Sequence, residues 1–316
     1  MKSGASEIAM ISKNNWLRSD NCSLQGIRNR IVETGLSRVI NYPVNKEVFK
    51  NVQVPVCIFK INRGGKDART YFTEIKRKKT ISEYTAKLHG FPIIPSTITE
   101  AEAIADALKF MNKNLGSFNV HVLPDEAYGI NSNGLIGRDE KTRLIEMSDN
   151  KTADFNVTLV YMNSATKRPF FKYTKESEIP RRQETIWHYK LIAGHCLEDD
   201  GQVVTSMFLA QPGFIPCKSY GTIFTSSDKT EILKAYKLMQ TKTFRYLVSV
   251  GGQSGLKTIS RLTFRFVPEI DLSNANRHNI PWDGTIDQIE SRIQNLLGLS
   301  DKAIAEINKK IERKEK

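Results

Sequence analysis

The sequence predicts a short open α/β sheet at the N-terminus, followed by a longer mixed α+β region and closing helices. Three observations predict it. Residues 7–61 alternate short apolar runs with one helical repeat, residues 118–225 alternate short β-like runs with turns, and the residues from Thr285 onward carry two capped helical repeats.

At the N-terminal end, Glu7–Ser12 reads as a buried strand. Leu24, Ile27 and Ile31 then recur at helical spacing, and Gly35 supplies a C-terminal stop. Leu36–Tyr42 and Val54–Ile61 read as two further strands. Three strands are too few for a complete doubly wound domain. Past the turn at Asn62-Arg63-Gly64-Gly65-Lys66 the texture changes. Thr99 and Glu102 frame a capping box ahead of a helix with Ile104, Leu108 and Met111 on one face. Strands are expected at 156–161, 169–173, 186–192, 203–209 and 221–225. Asp228 and Glu231 cap a helix bearing Ile232, Leu233, Tyr236 and Met239, which runs into residues 244–248. Thr285 and Gln288 make a second capping box, Gly298 closes that helix, Ser300 opens the next, and a charged tail follows. No repeat of solenoid type is present.

The chain has 316 residues, enough for two domains, with 40% hydrophobic and 26% charged residues, which excludes a collagen-like or wholly disordered chain. No run of 18 apolar residues occurs, and the first residues lack an apolar core with a small-residue cleavage site, so the expectation is a cytoplasmic protein without a span or secretory signal. Cys22, Cys57, Cys196 and Cys217 form no Cys-x-x-Cys and read as reduced thiols. Charge is more informative: 47 basic against 34 acidic residues give a net +13, which favours a polyanionic partner such as nucleic acid. The excess is uneven. Residues 1–80 hold 16 Lys/Arg against 6 Asp/Glu, and residues 232–268 hold Lys234, Lys237, Lys242, Arg245, Lys257, Arg261 and Arg265 with no carboxylate at all.

Several enzyme chemistries can be tested on the sequence. The 19 glycines include no Gly-x-Gly pair, so a nucleotide-binding or AdoMet-binding loop of that kind is absent. Gly251-Gly252-Gln253-Ser254-Gly255 lacks the Gly-Lys-Ser/Thr ending of a phosphate loop and reads as a turn or loop contact. His195-Cys196 is the nearest approach to a metal pair, but adjacent strand residues point to opposite faces. Asp67, Glu74 and Lys76 match a minimal metal-dependent nuclease pattern of two carboxylates and a lysine.

An ordered series of segments carries a family resemblance. Ser6–Ile11, Asn14-Asn15-Trp16-Leu17, Ile27–Ile31, Leu36–Tyr42, Glu47–Val52 and Val56–Phe59 follow one another. Ile186–Leu191, Thr241–Leu247, Arg261–Pro268 and Leu297–Ser300 continue the series. The chain resembles the C-terminal half of adenine-specific (N6) DNA methyltransferases of type II restriction-modification systems. The match covers the end of the catalytic domain and the target-recognition domain. The resemblance implies an α/β remnant of a methyltransferase sheet over 1–66, a mixed α+β target-recognition domain over 67–282, and C-terminal helices over 283–316. It also implies a bacterial, nucleoid-associated setting.

Such enzymes bind S-adenosyl-L-methionine on a glycine loop and hold the adenine amino group with an Asn-Pro-Pro-Tyr motif. No two of the 11 prolines here are adjacent, and both elements are expected upstream of residue 1. Met10 stands where the family can carry a base-stacking aromatic residue, and Lys13 replaces a proline often found ahead of the tryptophan. The expected DNA contacts are Lys13, Trp16, Lys242, Arg245, Lys257, Arg261 and Arg265. Trp16 reads equally well as a packed aromatic at a strand-to-helix turn. If Arg261–Phe266 is a strand, Arg261 and Arg265 share one face and Leu262, Phe264 and Phe266 the other.

The expectation is therefore a DNA-recognition part of an AdoMet-dependent adenine methyltransferase that binds double-stranded DNA, holds no cofactor by itself and works with an upstream half or subunit. Its rivals are a stand-alone DNA-binding protein of methyltransferase descent and a restriction nuclease using Asp67, Glu74 and Lys76.

Overall fold

The computed structural model describes residues 7–18, 22–43, 55–114, 116–124, 126–131, 135–136, 143–162, 169–194, 207–252 and 259–315. The fold is mixed α/β, and the chain divides into two compact units, Met1–Ala105 and Asp106–Lys316.

In the first unit β1 (Glu7–Lys13) turns through a single 3-10 turn at Asn14–Leu17 towards α1 (Cys22–Gly35), which leads into β2 (Leu36–Tyr42) and β3 (Val56–Asn62). Gly35 makes the helix-to-strand corner possible: its φ is +122°, and a Cβ there would lie 2.4 Å from the carbonyl oxygen of Asn62. A second 3-10 turn at Gly65–Asp67 leads to β4 (Arg69–Lys76) and β5 (Lys79–Lys87). The five strands form one sheet in the order β1-β3-β2-β4-β5. β3 runs antiparallel to β1 and β2, whereas β4 runs parallel to β2.

The sequence expectation of three strands and a boundary at residue 66 is corrected by this pairing. β2 hydrogen-bonds to β4 at Arg38–Asn41, so the sheet carries on past the Asn62–Lys66 turn. One core fills its helix-covered face. Trp16 packs edge-on to Phe59 at 5.1 Å and Phe72 stacks on Tyr84 at 5.1 Å, beside the fully buried Val39 and Cys57. The guanidinium of Arg28 is buried here and donates to the Trp16 carbonyl oxygen at 3.1 Å, tying α1 to the turn that follows β1. Burial pushes the Cys57 thiol pKa up, so it stays protonated and packs as a small apolar group.

Helix α2 (Ile98–Asn114) contains the division between the units. Its N-cap is Thr97, whose hydroxyl accepts from the Glu100 backbone at 3.0 Å, and not the expected Thr99, which is buried within the first turn.

The second unit holds a two-residue pair, β6 (Leu135–Ile136) with β7 (Arg143–Leu144), and two small sheets. β8 (Val157–Met162) and β9 (Pro169–Thr174) run antiparallel, as do β10 (Tyr189–Gly194) and β11 (Phe208–Ala210). β12 (Phe214–Pro216) lies parallel to β8, and β13 (Tyr220–Ser226) lies antiparallel to β10. Four helices follow: α3 (Lys229–Gln240), α4 (Lys242–Gly251), α5 (Ile286–Leu297) and α6 (Asp301–Glu315). The caps of α3 and α5 are those read from the sequence. Asp228 accepts from Thr230, and Thr285 and Gln288 form the reciprocal capping box, with Gly298 left-handed at the far end. Glu231 instead accepts from the Ser226 hydroxyl at 2.7 Å.

The closing helices belong to this body. The buried carboxylate of Glu290 on α5 accepts from the Thr243 backbone at 3.1 Å and from its hydroxyl at 2.6 Å, capping α4 from another element.

Lys190 on β10 is fully buried, with its ammonium donating at 2.8 Å to the Ile186 and His188 carbonyl oxygens and lying 5.9 Å from the Tyr128 ring. Burial lowers its pKa from 10.5 to about 7. Between those values the unfolded chain holds a proton that the folded chain lacks, so this group's contribution to stability rises with pH there and its cost is complete below the folded value. Melting of wild type and Lys190→Met across about pH 6–9 should therefore show the difference shifting in favour of wild type as pH rises. A difference independent of pH would contradict the burial of a titrating ammonium.

Candidate nucleic-acid interface

The acid-free stretch 232–268 begins on α3, crosses α4 and ends in a compact turn, and its cations do not share one role. Lys234 is buried, and its ammonium donates to the carbonyl oxygens of Leu272 and Ser273 at 3.0 Å and to Asn274 Oδ1 at 3.2 Å. Lys237 donates to the Trp282 and Gly284 carbonyl oxygens. Both lysines brace the 272–284 loop instead of serving solvent, which a count of charges cannot reveal. Lys242 opens α4 half-buried, and Arg245 follows one turn later, also half-buried. Lys257 lies outside the described residues.

The segment expected to be a strand at Arg261–Phe266 is a run of tight turns. Successive bonds link Thr263 N to Ser260 O, Phe264 N to Arg261 O, Arg265 N to Leu262 O and Val267 N to Phe264 O, a spacing of three that no strand can make. The expected two faces change accordingly. Phe264 and Phe266 are buried as anticipated, but Leu262 is exposed beside the exposed Arg261, and Arg265 is half-buried with its guanidinium 4.7 Å from the Phe266 ring. Arg261 Nε donates to the Val122 carbonyl oxygen at 3.0 Å, which fixes the stem and leaves the side chain in reach of water.

Gly251 brings the end of α4 against this turn: a Cβ there would lie 2.1 Å from the Thr263 carbonyl oxygen. That close approach, rather than phosphate binding, accounts for the first glycine of the 251–255 run; residues 253–258 lie outside the described residues. Arg261 belongs to the turn packed against the C-terminal end of α4, and Lys242 starts this ten-residue helix, which is about 15 Å long. Among the described cations of this stretch Arg261 is exposed, Lys237, Lys242, Arg245 and Arg265 are half-buried, and Lys234 is buried.

In the first unit, Lys13 ends β1 exposed, and Met10 is half exposed. Trp16 is buried at 4% exposure, with Nε1 donating to Ser12 Oγ at 3.0 Å, so its ring serves the core. The nuclease constellation does not assemble. Asp67 precedes β4 and pairs with Lys87 at 3.4 Å, whereas Glu74 lies near the other end of the strand, about 17 Å along it from Arg69. Glu74 accepts from Asn41 Nδ2 at 3.0 Å, and Asn41 Oδ1 in turn accepts from the buried Asn14 at 2.9 Å, a polar chain that pins the turn after β1 to the sheet. Among the described residues no group of three or more His, Cys, Asp or Glu side chains could hold a metal ion.

A cavity of about 190 Å³ in the second unit is lined by His121, Glu269, Asp271, Arg277 and His278. Its charges satisfy one another. His121 meets Glu269 at 3.1 Å and Arg277 meets Asp271 at 3.2 Å. Burial works against the Asp271 carboxylate, but hydrogen bonds from Arg277 and Ser273 prevail and hold its pKa well below the ordinary carboxylate range. No glycine occurs in the sequence directly after β1, and Trp16 and Leu17 there are buried. No helix among the described residues is long and apolar enough to cross a membrane.

No family model and no curated protein matches the sequence. Solved structures do match. The type IIL restriction-modification enzyme MmeI, solved in complex with DNA, aligns with 97% of this chain and 49% of its own at a TM-score of 0.53 and 11% identity, which establishes a shared fold. The type IIG restriction endonuclease BpuSI aligns over 97% of this chain and 46% of its own at 0.32 and 9% identity. The type I restriction-modification methyltransferase subunit from Streptococcus thermophilus aligns over 24% of this chain and 17% of its own at 0.19 and 20% identity. Only the first has a TM-score that supports a fold argument. The chain spans about half the length of the MmeI chain.

The architecture yields a direct test. Phe264→Ala removes a fully buried ring that packs 6.0 Å from Phe118, and should cost about 3–5 kcal/mol in chemical denaturation. Gly251→Ala should destabilise as well, because backbone and not a flexible side chain stands in the way. Wild-type stability in both would show that the turn does not pack as described.

Proposed function

We propose that this chain is the DNA-reading part of an AdoMet-dependent adenine-N6 DNA methyltransferase from a type II restriction-modification system, and that a second polypeptide or an upstream half supplies the AdoMet loop and the Asn-Pro-Pro-Tyr motif. The observation that carries the reading is the fold shared with MmeI across nearly the whole of this chain. The ordered sequence resemblance and the net charge of +13 agree with it.

The division of labour follows from chemistry. Methyl transfer to an adenine amino group requires the base to leave the stack and sit beside the methyl donor, so donor site and amino-group clamp share one cavity. The sequence of this chain carries neither a Gly-x-Gly loop nor two adjacent prolines. Its own part is to hold duplex DNA, with Lys13, Lys242, Arg245, Lys257, Arg261 and Arg265 as phosphate or base contacts. Arg261 is foremost among the described ones because it is both exposed and held at its stem. Trp16 supports the turn behind Lys13 from within the core.

The experiment is titration of the chain with duplex DNA at several salt concentrations. Binding should weaken steeply with salt, and Arg261→Gln should lower the log–log slope by about 1, with melting of the same variant read in parallel to separate this from loss of the Val122 contact. Binding that is indifferent to salt would overturn the DNA-reading role.

A further inference from the structure

The hairpin of β4 and β5 ends in four consecutive cations, Lys76-Arg77-Lys78-Lys79. Lys76 and Lys79 form the last pair of the ladder, so Arg77 and Lys78 are the whole of a two-residue loop. Both loop residues have positive φ, +52° and +59°. That is the conformation of a mirror-image hairpin turn, which Asn-Gly or Gly-Gly adopts readily and which residues other than Gly, Asn and Asp adopt only under strain.

The charges at the tip are as unfavourable as its backbone. Lys76 and Lys79 stand directly opposite one another, and like charges in that position repel. No carboxylate lies between Glu74 and Glu83 in the sequence. Glu74 already accepts from Asn41 Nδ2 at 3.0 Å, and Glu83 engages the Tyr71 hydroxyl. All four cations are exposed, and among the described residues no ion pair or side-chain hydrogen bond engages Lys76, Arg77 or Lys79. A hairpin that needed only to turn would be stabilised by Asn-Gly at its loop and by a carboxylate opposite one of the lysines. A tip that forgoes both is accounted for by a bound polyanion, whose charge offsets the repulsion.

We infer that the tip of the β4–β5 hairpin is a phosphate-binding finger that grips the backbone of duplex DNA. The inference rests on the DNA-binding role proposed above and assigns part of it to a place outside the 232–268 stretch. A two-stranded ribbon is narrow enough to enter the major groove, where phosphates of both strands flank it. Lysines bind phosphate as point charges, and the Arg77 guanidinium can hold it with two nitrogens. Contacts of this kind position a protein on DNA and add affinity without carrying sequence information. No apolar residue stands between Lys76 and Thr80 to enter a bilayer, which favours nucleic acid over an anionic membrane.

The test titrates the full chain with two duplexes of unrelated sequence over a series of salt concentrations, and melts every variant alongside. Arg77→Asn combined with Lys78→Gly installs the least strained loop while removing two charges. Lys76→Gln combined with Lys79→Gln removes two charges and keeps the loop. Lys66→Gln, just ahead of the far end of β4 and also exposed, is the control. The inference expects each double variant to lower the log–log salt slope by about 2 on both duplexes, and Lys66→Gln to leave it unchanged. It also expects the Arg77→Asn, Lys78→Gly variant to melt at or above the wild-type temperature. Undiminished stability with weaker DNA binding is a combination that a purely structural turn does not give. If wild type binds with a salt slope that both double variants keep, the finger is wrong while the DNA-binding role stands. If Lys66→Gln lowers the slope by as much per charge as the tip variants do, the tip is no distinct site and the inference is overturned. If wild type shows no salt-dependent binding, the inference and the DNA-binding role fall together. Vesicles of phosphatidylserine and phosphatidylcholine provide the last arm: binding to them that the tip variants abolish, with DNA binding intact, would make a membrane surface the partner and overturn the inference.

Discussion

Strand β2 is the member on which the first unit depends. It makes ladder hydrogen bonds to β3 on one side and to β4 on the other, and every neighbouring feature is referred to it. Val39 at its centre is fully buried, the Leu36 carbonyl oxygen accepts from the Thr70 hydroxyl at 2.7 Å, and Asn41 links the turn after β1 to Glu74 on β4. Because β2 lies between β3 and β4 in the sheet, the chain leaving β3 must pass the end of β2 to reach β4, and the Gly65–Asp67 turn lies in that connection. One strand thus converts a hairpin-like remnant into a sheet with a helix-covered core.

The second unit is organised around buried polar groups that hold loops and helix ends. Lys234 and Lys237 bind carbonyl oxygens of the 272–284 segment, Arg292 binds the His278 carbonyl oxygen with two nitrogens, and Glu290 caps α4. Unpaired carbonyls in a packed loop would each cost about 1–3 kcal/mol, so long cationic side chains directed inward are stabilising where they find such partners. The consequence is that Lys234 and Lys237 are turned inward, whereas Arg261 is exposed and held by its bond to the Val122 carbonyl oxygen. Rigidity matters for sequence reading, because a base-edge contact discriminates only when its donor is held in register.

Much of the local structure was legible in the sequence for a physical reason. The β1–α1–β2 order, the Thr285 and Gln288 capping box and the Gly298 stop are set by residues near one another in the chain. The pairing of β2 with β4 was not legible, because a parallel neighbour leaves no mark in adjacent residues. The alternation at Arg261–Phe266 imitated a strand, but Gly251 crowds the segment and it closes into turns. Thr97 and Thr99 offer the same capping side chain two residues apart, and only the fold selects Thr97 as the α2 cap. At the candidate interface, charge patterning picks out the acid-free basic stretch. It could not separate Lys234, which binds carbonyls, from Arg261, which is exposed, since burial is decided by the distant 272–284 loop.

We propose that this chain reads DNA for a methyl transfer completed by a second polypeptide. The most direct measurement is incorporation of radiolabelled methyl groups from AdoMet into duplex DNA, with the isolated chain, with the upstream polypeptide and with both mixed. The account expects no incorporation by the chain alone and incorporation, located at adenine N6, when the two are combined. Methyl transfer by the highly purified chain alone would contradict it.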